Sequence, residues 1–147
     1  MRRDVNVLCR DITLAKFDPQ VIVGLSRGGL IPGVMMSHYF KKPFKPVKAA
    51  LRDFADWEDY LPRHTDERVL IVDDICDSGE TFKRMAEYIT APRKGNPMEI
   101  QCDVRFASLI WNNEIEFEPH YYGTEIAKDS ENIWVTFEWE EYWKTPM

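Results

Sequence analysis

Apolar residues enter the chain at helical spacing: Val5, Leu8, Ile12 and Ala15 within residues 4 to 17 predict a short helix, stopped by Asp18-Pro19. The period then changes. Val21-Ile22-Val23-Gly24-Leu25 is an apolar, β-branched run bounded by turn formers, the pattern of a buried strand. Ser26-Arg27-Gly28-Gly29 breaks it, and Leu30 to Phe40 predicts a helix with Pro32 in its first turn, where it is tolerated. Val47 to Leu51 predicts a second strand. Arg52 to Arg68 is densely charged and without an apolar period, the pattern of a mobile loop. Val69-Leu70-Ile71-Val72 is the clearest strand. It runs into a polar stretch, after which Phe82, Met85, Ala86 and Ile89 mark one face of a helix. Val104 to Ile110 and Ile133 to Phe137 predict further strands, with a turn at Lys94-Gly95-Asn96-Pro97. The chain has no repeat and no low-complexity segment.

Buried strands alternating with helices imply an α/β domain: a parallel sheet flanked by helices on both faces. At 147 residues, 44% hydrophobic and 13% aromatic, the chain suffices for one core, so residues 1 to 147 are read as a single domain. In such sheets ligands bind at the carboxyl ends of the strands. Both polar breaks, after Leu25 and after Val72, fall there.

A net charge of -6 with mixed signs argues against a protein built chiefly to hold nucleic-acid phosphates. Cys9, Cys76 and Cys102 are an odd number without metal-ligand spacing, which points away from a disulfide framework and toward a reducing cytoplasm. No secretory apolar stretch follows the first arginines and no apolar run is long enough to span a bilayer, so a soluble protein is expected.

The candidate chemistry lies in Asp73-Asp74-Ile75-Cys76-Asp77-Ser78-Gly79-Glu80-Thr81. Adjacent carboxylates at a strand end repel one another and need cations, donors or solvent. One reading is a solvated turn with Ser78 as a helix cap. The other is a phosphate cradle: Gly79 permits a tight turn, the amides from Asp77 to Thr81 precede a helix, and the Ser78 and Thr81 hydroxyls add donors. The Walker A pattern is absent, and Gly24 to Gly29 does not match the dinucleotide-binding glycine pattern.

VLIVDDICDSGET resembles the signature with which type I phosphoribosyltransferases bind phosphoribosyl pyrophosphate (PRPP). The resemblance implies that Asp73 and Asp74 hold the ribose hydroxyls, partly through Mg²⁺, and that Asp77, Ser78, Gly79, Glu80 and Thr81 enclose the 5-phosphate. It also implies a general acid/base role for Asp77, beside the imidazole nitrogen of a purine. VIVGLSRGGLIPG is similar to the pyrophosphate loop of the xanthine-guanine branch, which assigns Ser26, Arg27, Gly28 and Gly29 to the diphosphate and implies a non-proline cis peptide there. By the same resemblance Arg52 to Arg68 is a catalytic loop that excludes water; Arg63 or Lys48 is a candidate to reach the pyrophosphate, the alternative being solvated surface charge.

Glu118 to Gly123 and Ile133 to Glu140 are similar to the purine hood: Trp134 stacks on the base, the Val135 backbone meets its edge, and Glu140 joins Asp73 and Asp74 as a metal-associated carboxylate. Purine members carry a lysine just after the strand matching Phe106 to Ile110, where this chain reads Trp111-Asn112-Asn113. Asn112 is then the side chain expected to donate to a 6-oxo group. The expected activity is transfer of ribose 5-phosphate from PRPP to hypoxanthine, guanine or xanthine, with Mg²⁺, no nucleic-acid or membrane partner, and a homo-oligomeric state, dimer or tetramer. A PRPP-fold sensor and a transferase for a pyrimidine or other heterocycle are the alternatives.

Overall fold

The computed structural model describes residues 1–48, 68–90 and 103–144. Residues 49–51, the charged stretch 52–67 with Arg63, the Lys94 to Pro97 turn, Cys102 and the Ile89 side chain lie outside what is described. The elements are α1 (Arg2–Leu14), β1 (Val21–Ser26), α2 (Leu30–Phe40), β2 (Phe44–Lys48), β3 (Arg68–Cys76), α3 (Glu80–Thr90), β4 (Asp103–Asn112) and β5 (Tyr121–Ile126), followed by a short 3₁₀ turn at Tyr142–Lys144.

The five strands form one parallel sheet in the order β2-β1-β3-β4-β5. Alternation along each strand sends side chains to two cores. Ile22, Leu70, Val72, Ala107 and Leu109 meet Val5, Leu8, Cys9 and Ile12 of α1 and Met36 of α2. Val21, Val23, Leu25, Val69, Ile71 and Phe106 meet Phe82 and Met85 of α3 on the other face. Leu8, Ile12, Ile22, Leu70 and Ile71 are fully buried; side chains of this size contribute about 1.5–3 kcal/mol each on burial. Cys9 and Cys76 are free and buried, and burial pushes their thiols up to about 11 and about 12, with the charges of Asp73 and Asp77 adding at Cys76.

Four expectations change. The second strand begins at Phe44 rather than Val47, because β1 pairs with it from there, Ile22 opposite Phe44. The first helix ends before Asp18-Pro19: the Lys16 N–H donates to the Thr13 carbonyl at 3.0 Å and the Phe17 N–H to the Ile12 carbonyl at 3.3 Å, with Lys16 left-handed at φ 58°. That is a Schellman-type stop, and it leaves Ala15 exposed. The third strand does not end at Val72 but continues through both aspartates to Cys76, because β4 pairs with it as far as Trp111.

The last strand is Tyr121–Ile126, not Ile133 to Phe137. The Thr124 hydroxyl donates to Asp4 of α1 at 2.7 Å, and His120 Nδ1 accepts the Phe106 N–H at 2.9 Å, tying β5 to both neighbours. Residues 133–137 have the alternation of a strand, with Val135 and Phe137 inward on the core and Trp134 outward, but they have no strand pairing. They form the C-terminal hood as an extended strap.

Candidate active site

Four neighbouring strand ends deliver the polar residues to one edge of the sheet. Ser26 closes β1 with Lys48 of β2 opposite it in register; Asp73 and Asp74 lie near the end of β3; Asn112 ends β4. The Ser26–Arg27 peptide is cis. The loop it opens is tight: the Gly29 N–H donates to the Leu25 carbonyl at 2.7 Å and the Leu30 N–H to the Arg27 carbonyl at 3.1 Å. The Gly29 amide is thus already committed to the Leu25 carbonyl, so Gly29, expected at the diphosphate, does not offer its N–H there. A Cβ on Gly28 would overlap the Asp74 carboxylate, so only glycine lets the loop approach β3 this closely.

The paired aspartates are held by their own backbone. Asp73 Oδ1 accepts the Asp74 N–H at 2.8 Å, and Asp74 Oδ1 accepts the Ile75 N–H at 2.7 Å. Burial pushes the Asp73 carboxyl well above the usual carboxylate range, and the adjacent Asp74 charge raises it further. The two side chains face different spaces. Asp74 lines a cavity of about 550 Å³ with Arg27 and Gly28, closed on the far side by Trp139, Glu140, Glu141 and Trp143. Asp73 lines a smaller cavity of about 120 Å³ with Asp77, Ser78, Gly79 and Thr81.

That smaller cavity is the start of α3. Gly79 is left-handed at φ 75°, and its carbonyl accepts the Lys83 N–H at 2.9 Å, so the amides before Lys83 precede the helical ladder. The Ser78 hydroxyl accepts the Glu80 N–H at 3.2 Å, a capping bond that leaves its proton to donate elsewhere. Glu80 itself is exposed.

Asn112 is used differently from the expectation. It is only 1% exposed. Its amide nitrogen donates to the Asp77 carbonyl at 3.2 Å and lies 3.4 Å from the Asp77 carboxylate, while its oxygen accepts the N–H groups of Glu114 and Lys128, both at 3.3 Å. The side chain is a buried clamp between β3, β4 and the segment after β5, and it does not present its amide to a base. The lysine that sequence reasoning missed is Lys128: its ammonium pairs with the Asp77 carboxylate and lies 5.6 Å from the centroid of the Trp134 ring. No periodicity or motif marks this lysine, which in the sequence is one charge in a polar turn. Glu141 and Trp143 of the larger cavity are equally unmarked, and Trp139 falls within the hood segment without a part of its own.

Trp134 is 83% exposed. A core role for it is therefore excluded, and the indole is an open platform beside the Asp77–Lys128 pair. Val135 next to it packs its side chain on the core.

No three His, Cys, Asp or Glu side chains among the described residues converge as a metal cluster. Mg²⁺ needs none, since it is commonly held by one or two carboxylates together with substrate phosphate oxygens and water. Asp74 and Glu140, on the walls of one cavity, fit that donor set.

The phosphoribosyl transferase domain family matches residues 2–145 of the chain. A xanthine-guanine phosphoribosyltransferase of Chromohalobacter salexigens is 25% identical over 95% of this chain and 79% of its own. The purine phosphoribosyltransferase of Pyrococcus horikoshii superposes with a TM-score of 0.69 at 26% identity, covering 99% of this chain and 90% of the other. The xanthine-guanine-hypoxanthine enzyme of Helicobacter pylori shares the fold, with a TM-score of 0.70 at 17% identity over 96% and 88% of the two chains. Because the family match spans nearly the whole chain, and its two glycine-bearing motifs meet at the carboxyl edge of a parallel sheet, the chain belongs to the phosphoribosyltransferase family.

Proposed function

We propose that this phosphoribosyltransferase moves ribose 5-phosphate from PRPP to a 6-oxopurine (hypoxanthine, guanine or xanthine) as a step of purine salvage. The observation that carries the purine reading is the exposed Trp134 indole beside the Asp77–Lys128 pair, at the rim of the cradle that opens α3. An indole in the open offers a flat heterocycle a stacking surface.

The residues divide the substrate between them. Asp77 to Thr81 take the 5-phosphate at the α3 N-terminus, Asp73 and Asp74 accept from the ribose hydroxyls, and Arg27 and Gly28 receive the diphosphate across the larger cavity. In the reaction a base ring nitrogen forms a bond to ribose C1′ as the bond from C1′ to the diphosphate oxygen breaks. Pyrophosphate leaves with that electron pair, and the Asp77 carboxylate accepts the proton lost by the base. Asp74 and Glu140 would hold Mg²⁺, which would supply charge neutralisation for the leaving group.

The relatives named for purines support this choice of base. The two buried thiols fit a reducing cytoplasm. The exposed apolar side chains Ile31, Val34 and Tyr39 of α2 support a homo-oligomer. No described helix is long and apolar enough to cross a membrane.

The test is pyrophosphate release with PRPP and Mg²⁺ against a panel of hypoxanthine, guanine, xanthine, adenine, orotate and uracil. Turnover on the 6-oxopurines is expected. Turnover confined to adenine or orotate would overturn the purine assignment while leaving the PRPP site intact, and PRPP binding without turnover on any base would favour a sensor.

A further inference from the structure

We infer that Lys128 is the residue by which this protein selects a base carrying an oxo group, and that Asn112 positions it; this rests on the purine reading above. The family resemblance looks for such a lysine just after β4, where this chain has Asn112. Here the cation arrives from the segment after β5 instead.

Its environment is built from three sides. The backbone N–H of Lys128 is fixed by the Asn112 oxygen at 3.3 Å. The same Asn112 holds the Asp77 carbonyl at 3.2 Å, so one buried amide sets the spacing between Lys128 and Asp77. The Lys128 side chain is only 19% exposed, and its ammonium rests between the Asp77 carboxylate and the face of Trp134.

An ammonium has three donors and no acceptor, and the pair with Asp77 occupies one of them. A base stacked on the indole takes the place of the cation above the ring, and the ammonium, still tethered to Asp77, then meets the edge of the base. A carbonyl oxygen at that edge accepts a charge-assisted hydrogen bond. An exocyclic amino group turns donors toward donors and is rejected, so the lysine discriminates by repulsion as well as attraction. Asp77 next to it accepts from a ring N–H. Together they form a donor and acceptor pair suited to an oxopurine and unsuited to adenine.

Calorimetric titration of the wild type, Lys128→Met and Lys128→Arg with IMP, GMP, AMP and Mg²⁺–PRPP tests this. Lys128→Met should weaken IMP and GMP about 10- to 100-fold, the worth of one charged hydrogen bond, and tighten AMP, whose amino group then no longer meets a donor. Lys128→Arg keeps a charged donor and should keep the preference for IMP over AMP. Equal weakening of IMP and AMP in the Met variant, or no weakening of IMP, overturns the assignment while leaving the purine reading in place. A wild type that binds PRPP but no purine monophosphate ends both.

Discussion

The buried amide of Asn112 donates to the backbone carbonyl of Asp77 at 3.2 Å, and its oxygen accepts the backbone N–H of Lys128 at 3.3 Å. A single side chain at the end of β4 therefore joins the loop after β3 to the segment after β5. Asn112→Ala leaves these buried groups unpaired and should cost about 1–3 kcal/mol of stability, measured by urea denaturation. Asn112→Lys, which would restore the lysine that purine members carry just after this strand, should lower both stability and turnover because there is no room for an ammonium at this buried site. A rise in hypoxanthine turnover in that variant would contradict the buried position.

Gly79 and Thr81 separate backbone geometry from side-chain bonding in the phosphate cradle. A Cβ on Gly79 would sit 2.7 Å from Cβ of Phe117, in a backbone conformation of φ 75°. Gly79→Val should weaken PRPP binding by at least about tenfold, since holding a β-branched residue left-handed costs on the order of 1–3 kcal/mol before any overlap. Thr81→Ala removes one hydroxyl and should weaken it about two- to tenfold. Fluorescence titration with PRPP ranks the two, and the reverse order would remove the amide cradle from the account.

Asp73→Asn should make the unliganded protein more stable and bind PRPP more weakly. In the fold, burial and then the Asp74 charge raise the Asp73 carboxyl, so it takes up its proton at higher pH than in the unfolded chain. Wild-type stability is consequently lost as pH rises through the folded value. Asparagine keeps an oxygen for the Asp74 N–H and carries no charge. Its advantage should be largest at neutral pH and disappear below about pH 4, where the unfolded carboxyl is protonated as well. Thermal unfolding of both proteins across that range checks the sign.

Trp134→Ala distinguishes a platform from a packing residue. At 83% exposure the indole contributes little to the core, so the unfolding free energy should change by less than about 0.5 kcal/mol. Base affinity should fall about 5- to 150-fold if stacking is worth 1–3 kcal/mol, as on single-stranded nucleic-acid platforms. Competition by hypoxanthine and guanine against a labelled nucleotide measures it. A large loss of stability with unchanged base affinity would return Trp134 to a structural role.

The sequence by itself determined whatever depends on neighbours along the chain. The apolar runs of β1 and β3 and the face of α3 marked by Phe82 and Met85 were legible because period and burial coincide there. So were the two loops at the strand ends, since glycine, aspartate and hydroxyl residues in that order have few other uses. Tertiary structure decided what depends on partners distant in the chain. Residues 133–137 alternate like a strand, yet strand identity requires a hydrogen-bonding neighbour, and the edge of β4 is taken by Tyr121–Ile126. Asn112, expected to face a base, is buried instead, and Lys128, for which no part was expected, lies against Asp77 for the same reason. Neither residue type reveals that the amide is buried against the Asp77 backbone and that the ammonium pairs with the Asp77 carboxylate; that is settled only when β3, β4 and the segment after β5 are brought to one edge of the sheet.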